Sequence, residues 1–305
     1  MRFADRLVSQ LAATIGPNAR RCLVLGWVLP TALVLIEPTI AGPMDDAEGA
    51  YRRSDYVTVL SILSPLAEKG NPLAQNNLGA MYALGQGVPL NDAEAARWYR
   101  LAANRGFAIA QNNLGVVYSA GRGVPRDDAN AVKWLRLASN QGLAQAEDNL
   151  GTAYLNGQGV ARDESVAIDM YRKAAGQCLP EAQYHLGVMY YRGFGVGRDV
   201  VEAVKWFRLS ANNGNLDAEN AFGTFYLGGL VTGQQDEAEA ATWLRLSAEQ
   251  GNADALDKLG FLFFWGRGVS QNDGEAIKAT PKIYRFSSPL SVRSYNSTPD
   301  GMCRP

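Results

Sequence analysis

The stretch Ala110-Gln111-Asn112-Asn113-Leu114-Gly115-Val116-Val117-Tyr118, followed by Gly121-Arg122-Gly123-Val124 and Ala131-Val132-Lys133-Trp134-Leu135, decides the fold, because its pattern recurs along the chain. The pair at its centre returns as Leu78-Gly79, Leu150-Gly151, Leu186-Gly187, Phe222-Gly223 and Leu259-Gly260, with spacings of 36 residues and, at the last step, 37. Three positions beyond each glycine stand Tyr82, Tyr118, Tyr154, Tyr190, Tyr226 and Phe263. A leucine and a tyrosine four residues apart share one side of a helix. The glycine between them admits a neighbouring helix. The repeat therefore predicts a first helix in each unit, helix A.

Helix A is expected to stop at Gly85, Gly121, Gly157, Gly193 and Gly266, each followed two residues later by a second glycine. The fifth unit reads Gly228-Gly229-Leu230-Val231-Thr232-Gly233 and carries the extra residue in its turn. No strand precedes these glycines, so they read as turns and not as a phosphate cradle. Asp55, Asn91, Asp127, Asp163, Asp199, Asp236 and Asn272 then form a column of N-caps for a second helix, helix B. Glu94, Glu202, Glu239 and Glu275, three residues on, are expected to complete capping boxes. On helix B, Ala95, Ala131, Ala167, Ala203, Ala240 and Ala276 precede Trp98, Trp134, Met170, Trp206 and Trp243, then Ala102, Ala138, Ala174, Ser210 and Ser247. That spacing traces one buried stripe in which the tryptophan column fills the space between units.

On the Asn113-Leu114-Gly115, Tyr118, Gly121-x-Gly123 and Ala131-x-x-x-Leu135 motifs, the chain resembles the Sel1-like repeat family, relatives of the tetratricopeptide repeat, over roughly residues 50–278. The resemblance implies an all-α fold: a right-handed α-solenoid of about six 36-residue helix–turn–helix repeats, used as an adaptor in assemblies, with no fixed biochemical activity. A cysteine-rich branch of the family is associated with β-lactam binding and hydrolysis. Its cysteine pair in each repeat is absent here.

The repeats occupy residues 42–278, with a short helix A near Asp46–Arg53 and a helix B over Asp55–Gly70 at the start. Residues 1–41 differ. Arg20 and Arg21 precede an apolar run from Cys22 to Ile36, and Thr39-Ile40-Ala41 suits a signal peptidase. The segment reads as a signal peptide or uncleaved signal anchor, and the protein as exported, periplasmic or secreted. At the other end Pro281 breaks helix B of the last unit, and residues 279–305 read as an atypical or disordered tail. Losing that helix should expose Phe261, Phe263, Phe264 and Trp265. Cys178 stands in a column held elsewhere by Gly70, Gly106, Gly142, Gly214 and Gly251, which favours a small residue at a helix end over a redox role.

With 29 basic and 30 acidic residues the chain advertises no surface for nucleic acid. Its one histidine, His185, has no second His or Cys at metal spacing and reads as a polar surface position in a column of Asn77, Asn113, Asn149, Ala221 and Lys258. No catalytic residue, cofactor or metal is expected, and the protein is read as a non-enzymatic scaffold binding a protein or peptide. On the concave face, which helix A lines in related repeats, one inward column reads Asn76, Asn112, Asp148, Tyr184, Asn220 and Asp257, a ladder able to hydrogen-bond a peptide backbone. Tyr184, Tyr191 and Arg192 are of types that dominate interface energies. The alternative is an envelope protein that binds or hydrolyses glycan or β-lactam, favoured only by the aromatics Tyr184, Tyr191, Phe264 and Trp265. A decaying repeat gene is the third reading, favoured by the tail.

Overall fold

The computed structural model describes residues 42–272, and within them every regular element is a helix. The order is α1 (Pro43–Arg52), α2 (Tyr56–Glu68), α3 (Pro72–Leu84), α4 (Asp92–Asn104), α5 (Ala108–Ala120), α6 (Asp128–Ser139), α7 (Ala144–Asn156), α8 (Glu164–Gly176), α9 (Pro180–Arg192), α10 (Val200–Asn212), α11 (Leu216–Leu227), α12 (Glu237–Glu249) and α13 (Ala253–Trp265). The odd-numbered helices are the expected A helices and the even-numbered ones the B helices. The expected signal segment, the tail and helix B of the sixth unit from residue 273 lie outside the described residues. Two compact units divide the chain: one runs to Leu186 and includes Phe194–Val196, the other holds Gly187–Gly193 and the residues from Gly197.

In the first unit, α1 to α7 each pack on the next helix in the chain, and α5 also meets α7, the A helix of the following repeat. This is the nearest-neighbour stacking of an α-solenoid. Columns of small residues permit it: Ala74, Ala110 and Ala146 at the start of helix A, and Ala102, Ala138 and Ala174 on helix B, are fully buried. In the second unit α10 to α13 pack in the same succession, with Ala218, Ala255, Ser210 and Ser247 in those columns. The Ser247 hydroxyl donates to the Leu216 carbonyl at 2.6 Å, so a polar residue occupies a buried small column without an orphaned group.

The N-caps stand where expected. Asp55, Asn91, Asp127, Asp163, Asp199 and Asp236 each accept from a backbone N–H in the first turn of helix B. The capping boxes do not form at Glu94 and Glu202. The Asn91 and Asp199 amides, which those glutamates would reach, already donate to the Tyr82 and Tyr190 carbonyls at 2.9 Å. Glu94 and Glu202 turn forward instead, to Arg97 at 2.9 Å and Lys205 at 2.8 Å. The same closure takes the Asp236 amide to Tyr226 at 3.1 Å, so the tyrosine column ties each turn shut through its backbone. Glu275 lies outside the described residues.

The tryptophan column is less buried than its spacing implied. Trp98 is buried, while Trp134, Met170, Trp206 and Trp243 are only half-buried. Trp134 and Met170 still pack against the core of the preceding repeat, but the next residue is the more deeply buried: Tyr99, Leu135, Tyr171, Phe207 and Leu244 are all buried. Each lies against the helix A glycine of its own repeat, and a Cβ at Gly151 would stand 2.9 Å from the Tyr171 ring. Cys178 adopts φ +67°, the left-handed backbone its glycine-dominated column requires. In the fifth repeat the added residue is absorbed in the segment 228–236 between α11 and α12.

Candidate functional site: the faces of helix A

Helix A buries two adjacent flanks and leaves one stripe open. In the first unit Gln75, Gln111 and Glu147 are buried, and so are their neighbours Asn76, Asn112 and Asp148. The open stripe follows helical spacing of four, three and four residues. It reads Leu73, Asn77, Ala80, Leu84 on α3, then Ile109, Asn113, Val116, Ala120 on α5, then Gln145, Asn149, Thr152, Asn156 on α7. Its apolar members are solvated: Leu73 is 39% exposed, Leu84 61%, Ile109 44% and Val116 43%.

The first three groove residues expected from the sequence form a ladder between repeats. Asn113 donates to the Asn76 Oδ1 at 3.0 Å and Asn149 to the Asn112 Oδ1 at 2.9 Å. The next rung joins His185 Nδ1 to the Asp148 carboxylate at 2.7 Å. His185 is thus half-buried and bonded, not simply solvated as its column suggested. Its ring lies 4.8 Å from that of Tyr171 and 5.8 Å from that of Tyr184. The Tyr171 hydroxyl meets Thr152 Oγ1 at 3.0 Å, and burial pushes its pKa up to about 12, so it stays protonated near neutrality. This cluster locks adjacent repeats together by hydrogen bonds and stacking.

In the second unit Tyr191 is half-buried, its ring 5.2 Å from Phe225 and under the Arg198 guanidinium at 5.5 Å. Arg192 is exposed. Asn220 is half-buried and donates to Asp254 at 2.8 Å while accepting from Lys258 at 3.0 Å, which repeats the ladder with a lysine. Asp257, on the last described helix, is exposed, as are Phe261 and Trp265 (47% and 60%), while Phe263 and Phe264 are half-buried. The open stripe could have been found in the sequence by asking which positions of helix A vary most in polarity. Leu73, Ile109, Gln145, Glu181, Asp217 and Asp254 share one position, which no packing constraint holds to one residue type.

A second ladder runs along the buried flank. Gln141 donates to Gln111 at 2.8 Å, Gln177 to Glu147 at 2.8 Å and, in the second unit, Gln250 to Glu219 at 2.8 Å. The column holds glutamine at Gln75, Gln111 and Gln183, but carboxylates at Glu147 and Glu219. Burial raises both carboxyl pKa values above the usual 4.5, against the pull of the glutamine bonds and, at Glu147, of Lys173. The native state then binds protons more tightly than the unfolded chain, so the contribution to stability is full at low pH and falls as pH rises through the raised values. Glu147→Gln and Glu219→Gln keep the acceptor and remove the charge. Each is expected to stabilise the protein at pH 7 by roughly 0.5–1 kcal/mol, with the gain vanishing below about pH 4.5. Urea unfolding at both pH values checks this.

Among the described residues no group of three or more His, Cys, Asp or Glu is placed to hold a metal, and no helix is long and apolar enough to cross a membrane. A search of curated proteins finds no match to this sequence. Two crystal structures resemble it closely. A Sel1 repeat protein from Oxalobacter formigenes is 31% identical with a TM-score of 0.71, the match covering 79% of this chain and 98% of that one. A protective antigen of uropathogenic Escherichia coli displaying the same repeat fold is 34% identical with a TM-score of 0.63, the match covering 80% of this chain and only 54% of the antigen. The Sel1 repeat model matches residues 72–107, 108–143, 144–177, 180–215, 216–252 and 253–278, in step with the helix pairs above. Repeats of this kind are in general non-enzymatic scaffolds for protein–protein interaction, and the chain belongs to the Sel1 repeat family.

Proposed function

We propose that the protein is a non-enzymatic adaptor, exported from the cytoplasm, that holds a protein or peptide along the concave, helix A side of its repeats. The observation that carries this reading is the exposed apolar stripe of α3 and α5, where Leu73, Leu84, Ile109 and Val116 stand in solvent on one side of the first two full repeats. Apolar side chains grouped on one face mark interaction sites more often than isolated ones do. The Asn76, Asn112 and Asp148 ladder lies beside the stripe. Its side-chain bonds run between repeats, so its role is to hold successive A helices in register while the stripe meets the partner. In the first unit Tyr184 continues the ladder column; the second unit, taken by itself, offers Tyr191, Arg192, Asn220 and Asp257 as its own proposed contacts.

The test is in-cell crosslinking of a tagged full-length chain, with mass spectrometry of what it captures. Leu84→Ser, Ile109→Ser and Val116→Ser together should abolish capture of the dominant partner, since they remove the apolar area it would bury and leave hydroxyls to be desolvated in its place. The fold should survive, because all three side chains are already solvated. A second variant replaces Tyr184, Tyr191 and Arg192 and tests the later repeats separately. Undiminished capture by both variants would overturn the reading.

A further inference from the structure

Two cavities of the first unit open between successive A helices at equivalent positions. The one between α5 and α7 is lined by Val116, Ser119 and Ala120, floored by Ala131 and Leu135 of α6, and closed by Asn149, Ala153 and Gln158, leaving about 150 Å³. Seventy-two residues earlier the equivalent positions are Met44, Ala47, Glu48, Val59, Leu63, Asn77, Met81 and Gln86, and there the cavity measures about 440 Å³. The larger volume accompanies a missing turn. Residues 53–55 alone join α1 to α2, where seven residues, 121–127, join α5 to α6. Tyr51 stands at the rim in place of the turn, its hydroxyl donating to Gln86 Oε1 at 3.0 Å.

The chemistry of this cavity has two parts. Its floor is apolar: Ala47, Val59, Leu63 and Met81 are buried core residues, and Met44 and Met81 are adaptable sulfur-bearing side chains suited to an incoming ring. Its rim is acidic: Asp45 and Glu48 line it, and no lysine or arginine does. Among the described residues Glu48 pairs with Arg52 in a bridge exposed on both sides, which an incoming cation can displace at little cost. A volume of this order admits one bulky side chain and the stem of its neighbour. Leu73, Asn77 and Ala80 belong both to the cavity and to the open stripe, so an occupant here is continuous with one lying along α3.

We propose that the α1–α2–α3 cavity is an anchoring subsite for a partner segment that presents an aromatic side chain next to an arginine or lysine, the ring resting on Leu63 and Met81 and the cation meeting Asp45 and Glu48. This rests on the scaffold reading above and adds to it the chemical class of the segment held. An arginine can lay its stem on the apolar wall and keep its head among the carboxylates.

The test uses the full chain labelled at its methionine methyls and three blocked pentapeptides: Ala-Ala-Phe-Arg-Ala, Ala-Ala-Phe-Glu-Ala and Ala-Ala-Ala-Arg-Ala. The first is expected to shift the Met44 and Met81 signals while Met170 and Met189 stay in place. It should bind about tenfold more tightly than either other peptide, because the Glu peptide meets like charge and the Ala peptide lacks the ring. The preference for Arg over Glu should shrink in high salt and disappear in the Asp45→Asn, Glu48→Gln chain, whereas Ala80→Phe, which fills the cavity from its exposed side, should abolish the shifts. Silent Met44 and Met81 signals at millimolar peptide, or equal binding of the Arg and Glu peptides, overturn the proposal. A chain that ignores all three peptides yet captures a partner through Leu84, Ile109 and Val116 loses this subsite and keeps the wider scaffold reading.

Discussion

Gly159→Ala is expected to destabilise the first unit by about 4 kcal/mol or more, whereas Gly142→Ala, seventeen residues earlier, is expected to cost only about 1–2 kcal/mol. Both glycines have positive φ, +68° and +79°, so both substitutions carry the left-handed penalty of an L residue. Only Gly159 adds a collision. A Cβ there would stand 2.1 Å from the carbonyl oxygen of Asp128 and 2.4 Å from its carbonyl carbon, while nothing lies within 4 Å of a Cβ at Gly142. The obstructing atoms are backbone, so no side chain can swing aside. Asp128 opens α6, whose Ala131, Val132 and Leu135 belong to the core, and relief of the clash must shift that helix or part the two repeats. Because a solenoid is held by contacts between neighbours, parting one interface should also broaden or split the urea transition. Equal midpoints for the two variants would show that the turn yields and that the contact does not couple the repeats.

The same reasoning separates two glycine roles that the sequence shows as one motif. The second glycine of the turn meets the first residue of helix B in the preceding repeat at Gly123 against Asp92, Gly159 against Asp128 and, in the second unit, Gly268 against Glu237. Where the turn carries an arginine between its glycines, that side chain pairs with the same acidic residue, Arg122 with Asp92 at 2.7 Å and Arg267 with Glu237. In the fifth repeat, where the insertion falls, a Cβ at Gly233 would meet nothing.

Much of the fold was legible because its signals are local. Caps, turn glycines and the Leu–Tyr spacing each act within one helix or turn, and the 36-residue recurrence multiplies every one of them. What was not legible depends on which groups outside the helix itself are already engaged. That Glu94 turns away from Asn91 follows from a Tyr82 carbonyl already occupying the amide. The groove columns were chosen by analogy, and a shift of one position around a helix, from Asn76 to Asn77, separates a buried flank from an open one. Asparagine stands at both places in two repeats, so residue type carried no sign of the difference. The N-terminal cavity was also invisible, since it is made by the absence of a turn.

On helix B the two neighbours of the Met170–Tyr171 pair differ in burial, and Tyr171 is the deeper of them. Tyr171→Ala is expected to cost about 3–5 kcal/mol, the range for emptying a buried aromatic site. Its side chain is 1% exposed, its ring rests on Gly151, and its hydroxyl and face engage Thr152 and His185. Met170→Ala should cost about 1–2 kcal/mol, because that side chain is half-buried and its loss is partly filled by water. Tyr171→Phe keeps the ring and loses only the bond to Thr152, for about 1 kcal/mol. It also carries a pH signature. A tyrosine that ionises near 10 in the unfolded chain and near 12 in the folded one makes stability fall as pH rises between those values, and that fall should be shallower in the phenylalanine variant. If Met170→Ala proved as damaging as Tyr171→Ala, the tryptophan column would be the true inter-helix filler and the closeness of Tyr171 to Gly151 incidental.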